Sequence, residues 1–226
     1  MTLRTNSRVA GFAFLFYIAV AATGAILEAK AAAGDGVAAR LASLAQHLPM
    51  ARLGILLELL GCLSALVLAV TLYAITRDVD PDLALMILVC RTAEGVIGAI
   101  GLSHMVGKLW LATSAPDVAS ADAIGAVLFQ LPTTNATLPA TFFAIGSLAF
   151  AWLLWRGRLA PGWMSGLGVV ASVLLVVALP LQLAGFLSGS VVQFLWIPMA
   201  AFEIPLGIWL LAKGARAPAG RSWGQS

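Results

Sequence analysis

Apolar residues along this chain gather into six long runs, Val9–Leu27, Leu53–Ile75, Leu83–Leu111, Leu138–Trp155, Met164–Leu187 and Val191–Leu211. Each is close to the roughly 20 residues that an α-helix needs to cross a hydrocarbon core of about 30 Å. Inside lipid a backbone must satisfy its own hydrogen bonds, so each run predicts a transmembrane helix. The third run, at 29 residues, is the longest and is expected to tilt or protrude. The fold class expected is therefore an all-α membrane protein, one domain of about six transmembrane helices.

The polar joints carry local signals. Between Gly36 and Pro49, Val37, Leu41, Leu44 and Leu48 share one helical face while Arg40, Ser43 and His47 lie opposite. That pattern predicts a short helix in the membrane interface between spans one and two. Asp80 followed by Pro81 reads as an N-cap and first helical position opening span three. The acidic run Asp78, Asp80 and Asp82 is accordingly a cap rather than a cation site. Ala112 to Ala123, with Pro116, Asp117 and Asp122, reads as a polar loop. No internal repeat is visible.

Composition agrees with the pattern. The 226 residues are 61% hydrophobic and 10% charged, with a mean hydropathy of +0.99, whereas soluble domains are typically about 25% charged. The net charge of +3 comes from basic residues scattered between apolar runs, which argues against a nucleic-acid partner. Arg4 and Arg8 ahead of the first run, with Ala29-Lys30-Ala31 behind it, resemble a signal peptide. The run itself is 19 residues, longer than the usual h-region, so a retained first span is expected.

The basic residues also suggest an orientation. With the N-terminus inside, cytoplasmic pieces hold Arg4, Arg8, Arg77, Arg156, Arg158, Lys213, Arg216 and Arg221, against Lys30, Arg40, Arg52 and Lys108 outside. Both termini are thus expected in the cytoplasm. Trp110, Trp155, Trp163 and Trp209 fall near span ends, where interfacial indoles collect.

Four ionisable residues lie inside apolar runs: Glu58, Arg91, Glu94 and Glu203. A charge at the bilayer centre costs about 2.5–3.5 kcal/mol on insertion scales, so these groups are expected to face inward and pair. Arg91 and Glu94 are one helical turn apart and share a face. At about 1.5 Å per residue, Glu94 and Glu203 fall near the midplane and Glu58 nearer the outer edge. Gly95, Gly98 and Gly101 continue the face of Arg91 and Glu94, leaving room for a neighbouring backbone or a ligand. Pro198 and Pro205 bracket Glu203 and free carbonyls beside it. Gln182, Gln193, Thr133, Thr134 and Asn135 are further polar groups able to line a cavity.

Other chemistry is sparse. Cys62 and Cys90 sit inside apolar runs and read as buried thiols. His47 and His104 read as interfacial residues rather than axial haem ligands, and no cofactor or metal site is expected. The chain has no Gly-rich phosphate loop, nucleophile elbow, His-Glu-x-x-His or Cys-x-x-Cys.

The run Arg52-Leu53-Gly54-Ile55-Leu56-Leu57-Glu58-Leu59-Leu60 with Leu72-Tyr73 resembles the second span of a bacterial membrane family, the domain of unknown function 4386 family. Arg91 with Glu94, Phe142-Phe143 with Gly146, the join from Leu154-Trp155-Arg156 to Leu159-Ala160-Pro161, and Glu203 followed by Trp209-Leu210-Leu211-Ala212-Lys213-Gly214 are similar to it as well. The resemblance implies a multi-pass protein of a bacterial inner membrane and brings no activity. Relatives carry a His and a Tyr just before the paired phenylalanines, where this chain has Leu131 to Thr137, so no role transfers to that stretch.

Three functions fit. The candidate groups Glu58, Arg91, Glu94 and Glu203 can bind or transform a lipophilic small molecule, two glutamates at unequal distance from Arg91 suiting an acid and a base. The same carboxylates can serve a small proton-coupled transporter, against which the missing repeat counts. The charges can also simply fix helix packing in a structural or accessory subunit. The partners expected are the lipid bilayer and a lipophilic small molecule.

Overall fold

The computed structural model describes residues 2–114, 118–130 and 132–216, without the side chains of 118–121, 130 and 132–135. Eight helices follow in chain order among them: α1 (Leu3–Ala31), α2 (Val37–Gln46), α3 (Leu48–Thr76), α4 (Pro81–Ser114), α5 (Val118–Gln130), α6 (Pro132–Arg156), α7 (Gly162–Leu183) and α8 (Gly189–Ala212). Six of them, α1, α3, α4, α6, α7 and α8, are long and apolar enough to cross a membrane.

Local chemistry sets the helix ends. The Thr2 hydroxyl accepts the Thr5 N–H at 3.2 Å, so α1 begins well before the apolar run. The Asp80 carboxylate accepts the Leu83 N–H at 3.2 Å and Pro81 opens α4, as the cap reading expects. The α7 helix stops at Gly185, whose φ of 82° is left-handed, and the Phe186 N–H closes back on the Leu181 carbonyl at 2.8 Å.

The six long helices form a closed ring. Each packs along two neighbours, α1 on α3, α3 on α4, α4 on α6, α6 on α7, α7 on α8, and α8 back on α1. The last seam is tight: a Cβ added at Gly11 would lie 2.5 Å from the Leu211 amide nitrogen and 2.6 Å from the Gly207 carbonyl oxygen. The segment after α8 fastens it further, the Ala215 N–H donating to Ser7 Oγ at 3.0 Å. Side chains fill the middle of the ring, including Phe14, Leu68, Leu72, Phe150, Leu175 and Phe202, all buried.

Outward, Phe12, Val70, Val89, Ile100, Val177 and Phe194 are exposed, an apolar surface that only hydrocarbon covers well. The chain is an integral membrane protein. The start of α1 and the segment after α8 lie at one end of the ring, where Ala215 meets Ser7.

The other end departs from expectation. The loop expected over Ala112–Ala123 is largely helical, because α4 runs on to Ser114 and α5 begins at Val118. Pro116 and Asp117 lie outside the described residues. The helix α2 is present, but its apolar stripe faces protein rather than lipid: Leu41 is buried against Leu111 of α4 with Leu128 and Phe129 of α5. Arg40 places its guanidinium 4.5 Å from the Phe129 ring centroid. The long α4 protrudes to reach this cap, as its length implies.

Candidate functional site

The helix α4 carries Arg91 and Glu94 one turn apart on its inner face, which is why they meet: Arg91 Nη1 donates to Glu94 Oε2 at 2.9 Å. The second Arg91 amino group lies 3.4 Å from Glu203 Oε1 of α8 and donates to Ser147 Oγ of α6 at 3.3 Å. From α1, the Tyr17 hydroxyl donates to the other Glu94 oxygen at 2.9 Å. Four helices thus converge on one chain of groups, Tyr17–Glu94–Arg91–Glu203, and Arg91 is fully buried.

Aromatic rings close over the cation. The Arg91 guanidinium carbon lies 4.5 Å from the Phe143 ring centroid and 5.6 Å from that of Phe14. Such contacts strengthen when water is absent. Arg91 Nε is buried without a hydrogen-bond partner among the described residues. With both glutamates ionised the cluster carries one net negative charge, and a single proton or cationic group brings it to neutrality. In a low-dielectric interior that difference is large.

Glu58 differs from the pairing expected for it. It is exposed on α3 and has no hydrogen-bond or ion-pair partner among the described residues. It faces a cavity of about 230 Å³ whose lining includes Tyr17, Glu94, Cys62, Phe143 and Trp196. Glu58, Gly98, Ala136 and Pro139 also border a second lobe of about 190 Å³, which reaches Glu28, His104 and Lys108. The two lobes are adjacent, sharing these four residues, and run from the buried cluster to Glu28, His104 and Lys108. Glu203 lies behind Arg91 and does not border this space.

The glycines of α4 divide their work along the cavity. A Cβ on Gly95 would lie 2.9 Å from the Cys62 carbonyl oxygen, so Gly95 seats α3 against α4. Gly101 has nothing within 4 Å and leaves open space. Pro139, inside α6, has no N–H to close the helix and stands where the two lobes join.

Three participants escaped the sequence. Tyr17 and Ser147 look like ordinary polar interruptions of apolar runs, although Tyr17 is one of only two tyrosines. Lys108 reads as an outer-side charge, yet it is buried and bonded to Glu28 Oε1 at 2.7 Å. Its position within the third run and that of Glu28 just past the first were the available signals. Gln182 and Gln193 border a separate groove with Trp196. The side chains of Thr133, Thr134 and Asn135 lie outside those described, and of the stretch before the paired phenylalanines Ala136 borders both lobes. His104 Nδ1 is buried without a partner among the described residues.

Among the described residues the Tyr17 hydroxyl is the one neutral donor on Glu94 from another helix. Tyr17→Phe is expected to lower stability by about 1–2 kcal/mol, measured by thermal unfolding in detergent. An unchanged midpoint would place the Glu94 oxygen against water in the cavity instead.

Residues 9–214 match the model of a family described as a domain of unknown function, DUF4386. No curated protein and no solved structure matches the chain.

Proposed function

Since this chain belongs to the DUF4386 family, a family with no function in its description, we propose a role from the intramembrane site: binding of a lipophilic small molecule between α1, α3, α4 and α6. The observation that carries the reading is Glu58, a carboxylate without a partner among the described residues that faces a cavity next to the Tyr17–Glu94 pair. Small-molecule sites are mostly apolar with a few placed polar groups, in volumes of about 300–1,000 Å³. Lobes of about 230 and 190 Å³ offer space of that order. Phe143 and Trp196, 5.5 Å apart between ring centroids, supply an apolar wall. Glu58 receives a donor or cationic group of the ligand, and Glu94, held by Arg91 at 2.9 Å, supplies a second contact. Any proton transfer to the bound molecule would use the Tyr17–Glu94 pair, and Glu203 acts only through Arg91.

The test is purification in mild detergent with mass spectrometry of co-purifying molecules, beside Glu58→Gln and Glu94→Gln. The expected result is a stoichiometric molecule other than bulk lipid, reduced at least tenfold in Glu58→Gln while helicity is kept. Bulk phospholipid alone, unchanged in all three proteins, would sink the proposal and favour a structural or accessory subunit.

A second reading, proton-coupled transport, draws support from Glu94, Glu58 and Glu28 bordering two adjacent lobes that share lining residues. Flux in proteoliposomes indifferent to a pH gradient would exclude it. We also place the chain in a bacterial inner membrane as one unit, with the termini cytoplasmic. Among the described residues the end with the termini carries Arg4, Arg8, Arg77, Arg156, Arg158, Lys213 and Arg216 against three aspartates.

A further inference from the structure

At the end that carries both termini, the joint between α6 and α7 and the segment after α8 frame a groove of about 640 Å³. Its lining includes Trp152, Trp155, Arg156, Arg158 and Arg216. Arg156 is already committed, its Nη1 lying 2.9 Å from Asp80 Oδ2. Arg158 and Arg216 have no carboxylate partner among the described residues.

The backbone holds these two arginines together. The Arg216 N–H donates to the Leu159 carbonyl at 2.9 Å, so the segment after α8 is pinned beside Arg158. Arg158 itself occupies the left-handed position of the α6 terminus, with φ at 51°. The Leu159 N–H reaches the Leu154 carbonyl at 3.0 Å and the Arg158 N–H reaches that of Trp155 at 3.1 Å, the pattern that usually places glycine where Arg158 stands. The corresponding residue after α7 is Gly185. A strained arginine at a position suited to glycine implies that its side chain does something there. The two indoles, half-exposed and set edge to face with centroids 6.3 Å apart, stand at the end of α6. Indoles at a span end belong to headgroup depth, and basic groups beside them attract anionic lipid.

We infer that this groove binds the phosphate of an anionic phospholipid in the leaflet next to the termini, with Arg158 and Arg216 as its ligands. Trp152 and Trp155 seat the glycerol and the upper acyl chain. A soluble phosphate compound shares the phosphate chemistry but has no use for the indoles.

Native mass spectrometry of the detergent-purified protein, offered equal phosphatidylglycerol and phosphatidylcholine, tests the assignment. Wild-type protein is expected to retain phosphatidylglycerol at least tenfold better. In Arg158→Gly with Arg216→Gln the preference falls to near one. Arg158→Gly also relieves the left-handed backbone, so its unfolding midpoint stays the same or rises, which separates loss of the site from loss of the fold. Trp155→Ala weakens lipid retention without changing the response to inorganic phosphate. An undiminished preference in the double arginine variant would overturn the site. Displacement of the lipid by millimolar inorganic phosphate, with no effect of Trp155→Ala, would overturn the lipid as its source.

Discussion

Arg91→Met is expected to destabilise the bundle by about 3–5 kcal/mol, the usual cost of removing one partner from a buried ion pair. The substitution strands Glu94 and Glu203, both buried, without the cation they share. Chemical or thermal unfolding in detergent measures it. A triple variant, Arg91→Met with Glu94→Gln and Glu203→Gln, should recover most of the loss, because neutral groups of similar shape replace buried ion clusters at little cost. A triple variant no more stable than Arg91→Met alone would assign the effect to the guanidinium packed 4.5 Å from the Phe143 centroid rather than to its charge.

Gly11 gives the second large effect. The atoms facing it are backbone, Leu211 nitrogen and Gly207 oxygen, and they cannot rotate aside. Gly11→Ala should cost about 1–3 kcal/mol as an overpacked contact, and Gly11→Leu more, since α8 must then move away from α1. Because α8 carries Glu203, the displacement also lengthens its 3.4 Å contact with Arg91. Gly207→Ala is the internal comparison. Its Cβ would meet the Leu15 side chain at 3.1 Å and Phe14 Cβ at 3.3 Å, looser contacts than the 2.5 and 2.6 Å at Gly11, so the loss is smaller. Equal stability of Gly11→Ala and wild type would contradict so close a seam.

The spans were legible because hydropathy reports burial in lipid directly, and each apolar run became a helix. Their ends were less so. The α1 helix starts at Leu3 because Thr2 caps it, and a cap beyond the apolar run leaves no trace in hydropathy. The helix α5 was hidden because its small, mixed residues gain order from packing on α2 and α4, a tertiary effect. The pairing of Arg91 with Glu94 could be read from one helical turn. That Glu203 joins them and Glu58 does not depends on which helices are neighbours in the ring, which no spacing within a helix encodes. The same holds for Tyr17 and Lys108, whose partners are 77 and 80 residues away.

The closed ring also dictates an order of assembly. Its helices α1 and α8 must meet, at Gly11 with Gly207 and at Ser7 with Ala215, so closure waits until α8 and Ala215 have been synthesised. Until then α1 and α7 each present one unmatched flank to the bilayer. Arg91 and Glu94 can enter the membrane together, since the acid one turn away neutralises the base within a single helix. Glu203 arrives alone in the final helix and finds its counter-charge only when that helix docks. Any chain released before α8 therefore has an open flank and a cation with half its anions, a recognisable substrate for membrane quality control.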